Sequence, residues 1–320
     1  MLFTLWPRKR APRSKPAGRH ATFRPQLEAL EGRDVPSTLT VTTNLDYGPG
    51  SLRYEISQAN TGDTIVFNLN HKKDGTITLT GGELVISKSL TIKGNGETIA
   101  SQPYENGLLQ FVNGSRIFEV HGAGTTVAIS GLTLTNGGGT RDSSGVTGDP
   151  YDGYGGAILN FGTLALSNCS LGGSVVSGGV FVSGNTALTA GGAIANFGMM
   201  TVSGCTLSGN TAQGVTDGRL FGGGGGIYNA GTMTVSGSHV VDNSAGTGGG
   251  IYNAGTMTVS GCYVQNNSAH TTAVGVVAEG GGIYNAGTAA ALTVLDSIFS
   301  SNSPDNIYGP YTDGGGNSFS

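Results

Sequence analysis

Positive charge is nearly missing from the last two-thirds of this sequence. From Ile117 onward only Arg141 and Arg219 are basic, while eight of the 16 Lys and Arg residues fall within the first 35 positions. Phosphate backbones are gripped by clustered Lys and Arg, so a nucleic-acid role for the main body is disfavoured. Charge of either sign is scarce as well, at 11%. A disordered chain would be richer in charge and poorer in Val, Ile and Phe. Long apolar runs are absent. The stretch Leu220–Val241 contains no Lys, Arg, Asp or Glu but is full of Gly, Ser, Thr and Asn, so no transmembrane segment is expected. Three cysteines without a CxxC or Cys/His spacing, and five scattered histidines, give no metal signature.

What the sequence has in excess is glycine, 58 residues of 320. It lacks the three-residue period of collagen, and so much Gly and Thr would weaken helices at nearly every turn. The glycines instead punctuate a repeat. Gly225-Gly226-Ile227-Tyr228-Asn229-Ala230-Gly231-Thr232-Met233-Thr234-Val235 returns from Gly249 to Val259, and its first half returns again from Gly281 to Thr288. Looser copies start at Gly155 and Gly191. The shared residues Asn160, Asn196, Asn229, Asn253 and Asn285 are 36, 33, 24 and 32 residues apart. A bare unit of 24 residues with elastic insertions is the behaviour of a solenoid.

Within one unit, Met233 and Val235 share a parity and are expected to point inward, leaving Thr232 and Thr234 in solvent. Ser238, Val240 and Asp242 continue the inward alternation against His239 and Val241, with turns at Ser236-Gly237 and Asn243-Ser244. Three short strands per unit define the fold class: all-β, a single-stranded parallel β-helix, right-handed because parallel crossovers almost always are. Roughly eight rungs at about 4.8 Å make a rod on the order of 40 Å long. Upstream, strands are expected at 64–69, 76–80, 89–93, 117–120, 127–130 and 132–135. Ser51 is a good N-cap, and Leu52, Ile56 and Ala59 share one face up to Gly62, so a short helix is expected to cap the coil.

Three segments follow: a basic leader at 1–36, an N-terminal cap with the first rungs at 37–116, and repeats with inserted loops at 117–320. The segment Phe23-Arg24-Pro25-Gln26-Leu27-Glu28-Ala29-Leu30-Glu31-Gly32-Arg33 resembles an N-terminal segment of planctomycetal surface and secreted proteins. Thr40-Val41-Thr42, Gly50-Ser51-Leu52-Arg53-Tyr54-Glu55-Ile56 and Gly62-Asp63-Thr64-Ile65 resemble the CSLREA-type start of secreted β-helix proteins, with Gly50 in place of the initial Cys. Gly155-Gly156-Ala157-Ile158 and Gly191-Gly192-Ala193-Ile194, with Ser183-Gly184-Asn185 and Ser208-Gly209-Asn210, resemble the repeats of polymorphic outer-membrane proteins. These resemblances imply a pectate-lyase-like coil, a secreted or cell-surface location and an adhesin-like role. Such relatives often end in a membrane barrel; with rungs running to its last residues, this chain is expected to carry none. It is read as a monomer.

The five repeat asparagines suit a stacked corner ladder, since Asn tolerates left-handed backbone. Asn210, Asn243, Asn267 and Asn302 form a second column. Cys169, Cys205 and Cys262 each follow a repeat Asn by nine residues, with Ser238 in the same slot, so they share an inward column. Buried thiols are the plainer reading, and Cys169 with Cys205 is the pair near enough for a disulfide. Tyr228, Tyr252 and Tyr284 form an outward ladder. It offers rings to sugars, making carbohydrate a candidate partner, or simply stacks on itself.

The same fold houses polysaccharide lyases and glycoside hydrolases, so catalysis is the competing class. Its candidates are Asp149 and Asp152, beside Tyr151 and Tyr154, and Asp217 with Arg219, all on inserted loops. A hydrolase would pair carboxylates, and a lyase would add Ca²⁺ and a base. Solvated loop charge is the plainer reading. The expected function is therefore a secreted or cell-surface structural and interaction protein that binds a glycan or a cell-surface partner without catalysis, with a polysaccharide-acting enzyme as the alternative.

Overall fold

The computed structural model describes residues 35–69, 75–102, 104–105, 111–112, 114–140, 149–173, 175–177, 180–182, 184–216, 219–220, 223–270, 277–287 and 291–320. The basic leader up to residue 34 lies outside them, as do Arg141 and Asp217; Arg219 is placed by its backbone alone.

Residues Pro36–Ser320 form a parallel β-helix whose strands fall into three long sheets. Sheet A has ten strands, from Thr38–Val41 to Thr312–Asp313; sheet B has nine, from Thr76–Leu79 to Ser318–Phe319; sheet C has eight, from Leu84–Ile86 to Ile307–Tyr308. Every pairing within them is parallel and joins a strand to its equivalent one rung away. The repeat shows this directly, with Thr232–Ser236 in register with Thr256–Ser260 in sheet A, and Ile227–Asn229 with Ile251–Asn253 in sheet C.

Alternation is as expected where strands are straight. Met233 and Val235 are buried with Thr232 and Thr234 exposed. Sheet C contributes an inward column of Ile158, Ile194, Ile227, Ile251 and Ile283, all fully buried. The alternation stops one residue earlier than expected after Val240. Asp242 is exposed and left-handed (φ 57°), and Asn243 is buried in its stead. This corner also carries a fourth, two-residue strand in successive rungs (Thr186–Ala187, Thr211–Ala212, Ser244–Ala245, Ser268–Ala269). Antiparallel hairpins such as Val175–Ser177 with Val180–Val182 occupy insertions.

The two asparagine ladders are present, by a different backbone rule than expected. None of Asn160, Asn196, Asn229, Asn253 and Asn285 is left-handed; each ends a sheet C strand, at most 1% exposed. Left-handed residues form a separate column at the corner between sheets A and B: Gly131, Asn168, Gly204, Gly237, Gly261 and Asp296. The first ladder is a chain of side-chain amides. Asn160 Nδ2 donates to Asn196 Oδ1 at 2.7 Å, Asn196 to Asn229 at 2.8 Å, Asn229 to Asn253 at 2.8 Å and Asn253 to Asn285 at 2.7 Å. The second begins one rung earlier than expected and runs Asn185, Asn210, Asn243, Asn267, Asn302, each side-chain link at 2.9–3.0 Å.

The cysteine column is polar as well as small. All three thiols are free and buried. The Cys169 amide donates to Cys205 Sγ, the Cys205 amide to Ser238 Oγ and the Cys262 amide to Ser297 Oγ, so a hydroxyl or thiol serves equally at this slot. The neighbouring Cys205 sulfur and burial push the Cys169 thiol far above its ordinary range, and burial raises Cys262. Both stay protonated and unreactive.

At the amino end the helix Leu52–Gln58 is capped by Ser51, whose Oγ accepts the Tyr54 amide, and it buries Leu52, Ile56 and Ala59. Amides of Ser37 and Asn60 hold the Asp63 carboxyl below its usual range, tying the first strand to the cap. That contribution is present at neutral pH and fades as acid protonates Asp63.

The ladder makes a quantitative prediction. Asn229→Ala removes a donor and acceptor from the middle of a buried chain and leaves Asn196 Nδ2 and Asn253 Oδ1 short of a partner. Thermal unfolding followed by circular dichroism should show a loss of about 2–3 kcal/mol. Thr234→Ala, on the exposed side of the same rung, should stay within about 0.5 kcal/mol of the parent.

Candidate functional site

Sheet C carries one outward residue per rung, and register places them in a single column: Val85, Glu119, Leu159, Ala195, Tyr228, Tyr252, Tyr284 and Tyr308. The tyrosine ladder therefore exists and is one ring longer than the repeat suggested. Tyr228–Tyr252, Tyr252–Tyr284 and Tyr284–Tyr308 centroids lie 5.4, 4.9 and 5.3 Å apart with planes within 22° of parallel. Rings stacked in this way cover one another's faces and present edges to solvent. Burial pushes the Tyr228 phenol up to about 12 and raises Tyr252 as well, so both remain hydroxyl donors.

Leu159 and Ala195 occupy the column where no tyrosine does, and both are fully buried. Their cover comes from the insertion before Gly155. Tyr154 packs edge-on against Tyr228 (5.7 Å) and Phe197 (5.6 Å), and Tyr151 against Phe161 (4.6 Å, 74°) and Phe197 (5.2 Å, 72°). Phe161 and Phe197 follow the ladder residues Asn160 and Asn196 and stack on each other at 5.6 Å. One aromatic array thus extends from Tyr308 to Phe161.

The array ends in a groove. Because Tyr151 is near both phenylalanine centroids and steeply inclined to both planes, it lies beside the stacked pair and not over the face of Phe161 turned away from Phe197. That face looks along the axis to the preceding rung, where His121 holds the position equivalent to Phe161. Glu119, His121, Gly122, Asp149, Pro150, Tyr151 and Phe161 line a groove of about 470 Å³.

Its polar wall is held from inside. Glu119 is 3% exposed; its Oε1 meets His121 Nδ1 at 2.8 Å and its Oε2 lies 3.4 Å from Arg116. Arg116, 1% exposed, also pairs with Glu83 at 2.5 Å and donates to the carbonyls of Gly139 and Tyr151 at 2.9 Å and of Tyr154 at 3.1 Å. One guanidinium therefore clamps the inserted loop onto the rung and orients Glu119, which orients His121. The His121 side chain is 60% exposed and lines the groove.

Of the residues singled out from sequence, Asp149 reaches this groove, with Oδ1 accepting the Tyr151 amide at 2.9 Å. Asp152 is 7% exposed and sits under the loop, too buried to meet a large ligand. Asp217 and the side chain of Arg219 lie outside the described residues. Arg116, Glu119, His121, Phe161 and Phe197 escaped sequence reading. Their signal was a charged residue in the outward slot of Phe118-Glu119-Val120, where later copies place Leu, Ala or Tyr. Among the described residues, no group of three or more His, Cys, Asp or Glu side chains is arranged to hold a metal, and no helix is long and apolar enough to cross a membrane.

No family model and no curated protein matches the chain. Among solved structures it is similar to Geobacillus virus E2 ORF18, with 13% identity and a TM-score of 0.38, over 88% of this chain and 59% of that one. The chain thus spans less than two-thirds of that protein, and at this level the likeness carries no argument about function.

The clamp is testable. Arg116→Met removes the buried cation that Glu83 and Glu119 share, and urea unfolding should register a loss of about 3–5 kcal/mol. Limited proteolysis at low protease should cut the variant first within 141–154. An equal cleavage pattern in variant and parent would show that Arg116 does not hold the loop.

Proposed function

We propose that this protein is an extracellular carbohydrate-binding β-helix: a secreted or cell-surface interaction protein, non-catalytic, that seats a sugar unit in the groove between His121 and Phe161. The observation carrying this reading is the groove itself, which lies at the end of an aromatic array and sets Phe161, Tyr151 and Pro150 beside the polar side chains of His121 and Asp149. Sugars combine an apolar face of C–H groups with a rim of hydroxyls. A ring face flanked by a carboxylate and an imidazole matches both. Val85 and the edges of the tyrosine column continue beyond the groove on either side, so a longer glycan has room to follow the coil axis at one rung per step.

The extracellular part of the proposal is supported by the resemblance of the repeats and the cap to those of secreted β-helix proteins. A second reading, a polysaccharide-acting enzyme, is favoured by one observation, the imidazole of His121 fixed by a buried carboxylate within the groove. Ca²⁺ would enter only through a lyase of this kind.

Binding of a glycan panel by calorimetry, repeated with variants, separates the parts of the proposal. Phe161→Ala should weaken binding roughly tenfold or more, the scale of one aromatic contact. Tyr252→Phe, which changes an edge hydroxyl within the stack, should alter it less than about threefold. Equal losses at both positions would move the site to the tyrosine column. New reducing ends or unsaturated products would overturn the non-catalytic reading.

A further inference from the structure

At the amino end, sheet C starts later than its neighbours. Sheet A has the strands Thr38–Val41 and Thr64–Phe67, and sheet B has Thr76–Leu79, before sheet C opens with Leu84–Ile86. Later rungs run a sheet C strand ahead of sheet A; here the chain runs the helix Leu52–Gln58 ahead of Thr64–Phe67. A helix uses its amides and carbonyls along its own axis and offers none sideways to a strand. The edge of Leu84–Ile86 is therefore open. The Leu84 amide donates to the Ile117 carbonyl at 2.8 Å and the His121 amide to the Ile86 carbonyl at 2.9 Å, so Leu84 and Ile86 bond to the following rung. Val85, between them in a parallel ladder, points its N–H and C=O the other way, where neither meets a partner among the described residues.

A groove of about 400 Å³ runs along that edge, with Arg53, Ile56 and Ser57 of the helix on one side and Val85, Ser87 and Lys88 on the other. Val85 is 47% exposed and gives the groove an apolar wall. Arg53 closes one end by donating to the carbonyls of Gly82 and Glu83 at 2.6 and 2.8 Å. At the other end Lys88 Nζ donates to the carbonyls of Ser57 and Ala59 at 3.2 and 2.7 Å, and among the described residues it forms no ion pair. Asp63 feels that charge, but its oxygens accept from the amides of Ser37 and Asn60. The Glu83 carboxylate is 4% exposed and bonded to Arg116. We propose that this edge takes an added strand: an extended, acidic peptide segment of a partner protein, laid beside Leu84–Ile86 under the flank of the helix. Val85 gives its N–H and its C=O to the guest backbone, and a guest carboxylate takes the third N–H of Lys88. The site lies one rung from the groove at Phe161 and does not rest on the carbohydrate reading.

Fluorescence anisotropy with the full chain and short labelled peptides tests it. The probes are a Val- and Thr-rich peptide carrying Glu, its Gln and Lys counterparts, and the chain's own segment 23–33. The Glu peptide should bind about threefold to tenfold tighter than the Gln peptide, with the Lys peptide weakest and the differences shrinking as salt is raised. N-methylation of the Glu peptide's central amides should weaken it roughly tenfold or more, since strand addition needs those donors. Val85→Pro removes the groove-facing N–H and leaves the ladder to Phe118–Val120 intact, so it should weaken the Glu peptide by a similar factor while thermal unfolding stays cooperative. Lys88→Gln should draw the Glu and Gln affinities together. Unchanged binding after both N-methylation and Val85→Pro would overturn strand addition. Tighter binding of segment 23–33 than of the Glu peptide would make the occupant the chain itself and overturn the acidic partner, and failure of every peptide to bind would overturn the site.

Discussion

The structure depends on a side-chain amide that donates to its neighbour one rung away and accepts from the rung on the other side. Repeated along two corners, this link converts a loosely periodic, glycine-rich sequence into a coil with one register. Each buried Asn would be costly alone, because an unsatisfied amide in an apolar interior costs about 1–3 kcal/mol. Placed in a column, each amide satisfies the next, and slipping the chain by one residue would break every link at once. Close backbone approach reinforces the constraint. A Cβ at Gly231 would sit 2.1 Å from the Gly198 carbonyl and one at Gly255 the same distance from Gly231, so the Asn-Ala-Gly corner admits little else.

Register has a chemical consequence on the outside of the coil. Identical positions stack, so identical side chains meet face to face, and an aromatic column consumes its own faces. The tyrosines from Tyr228 to Tyr308 illustrate this: they are neighbours first and a surface second. The array has two ends: Tyr308 on the last rung, and Phe161, where the preceding rung carries His121 and Glu119 and the insertion around Tyr151 packs beside the stack. The repeats supply a regular frame, and the departure from the repeat supplies the groove. Arg116 joins the two by bonding to the loop's carbonyls and to the carboxylates of the rung.

Much of the frame was legible in the sequence. The spacing of Asn160, Asn196, Asn229, Asn253 and Asn285, the parity of Met233 and Val235 and the cap from Ser51 to Ala59 all read correctly, because each is local or strictly periodic. Left-handed corners were assigned to the wrong asparagines, since a ladder residue and a turn residue share the same composition. The groove was harder to read for two physical reasons. Its rung, Phe118-Glu119-Val120, lacks the repeat's Asn and so aligns with the later copies only once the pairing is known. Its central ion pair joins Arg116 to Glu83 across 33 positions, a distance at which sequence spacing predicts nothing. Asp149 was noticed as loop charge, but its partners in the groove come from a different segment.

The central claim is that binding occurs where the aromatic column ends and not along its length. A crystal structure of the protein with a bound oligosaccharide tests it most directly. The account predicts a sugar ring lying on Phe161, between His121 and Tyr151, with a polar substituent within hydrogen-bond distance of Asp149. A ligand lying along the edges of Tyr228, Tyr252 and Tyr284, with the groove filled only by water, would contradict it.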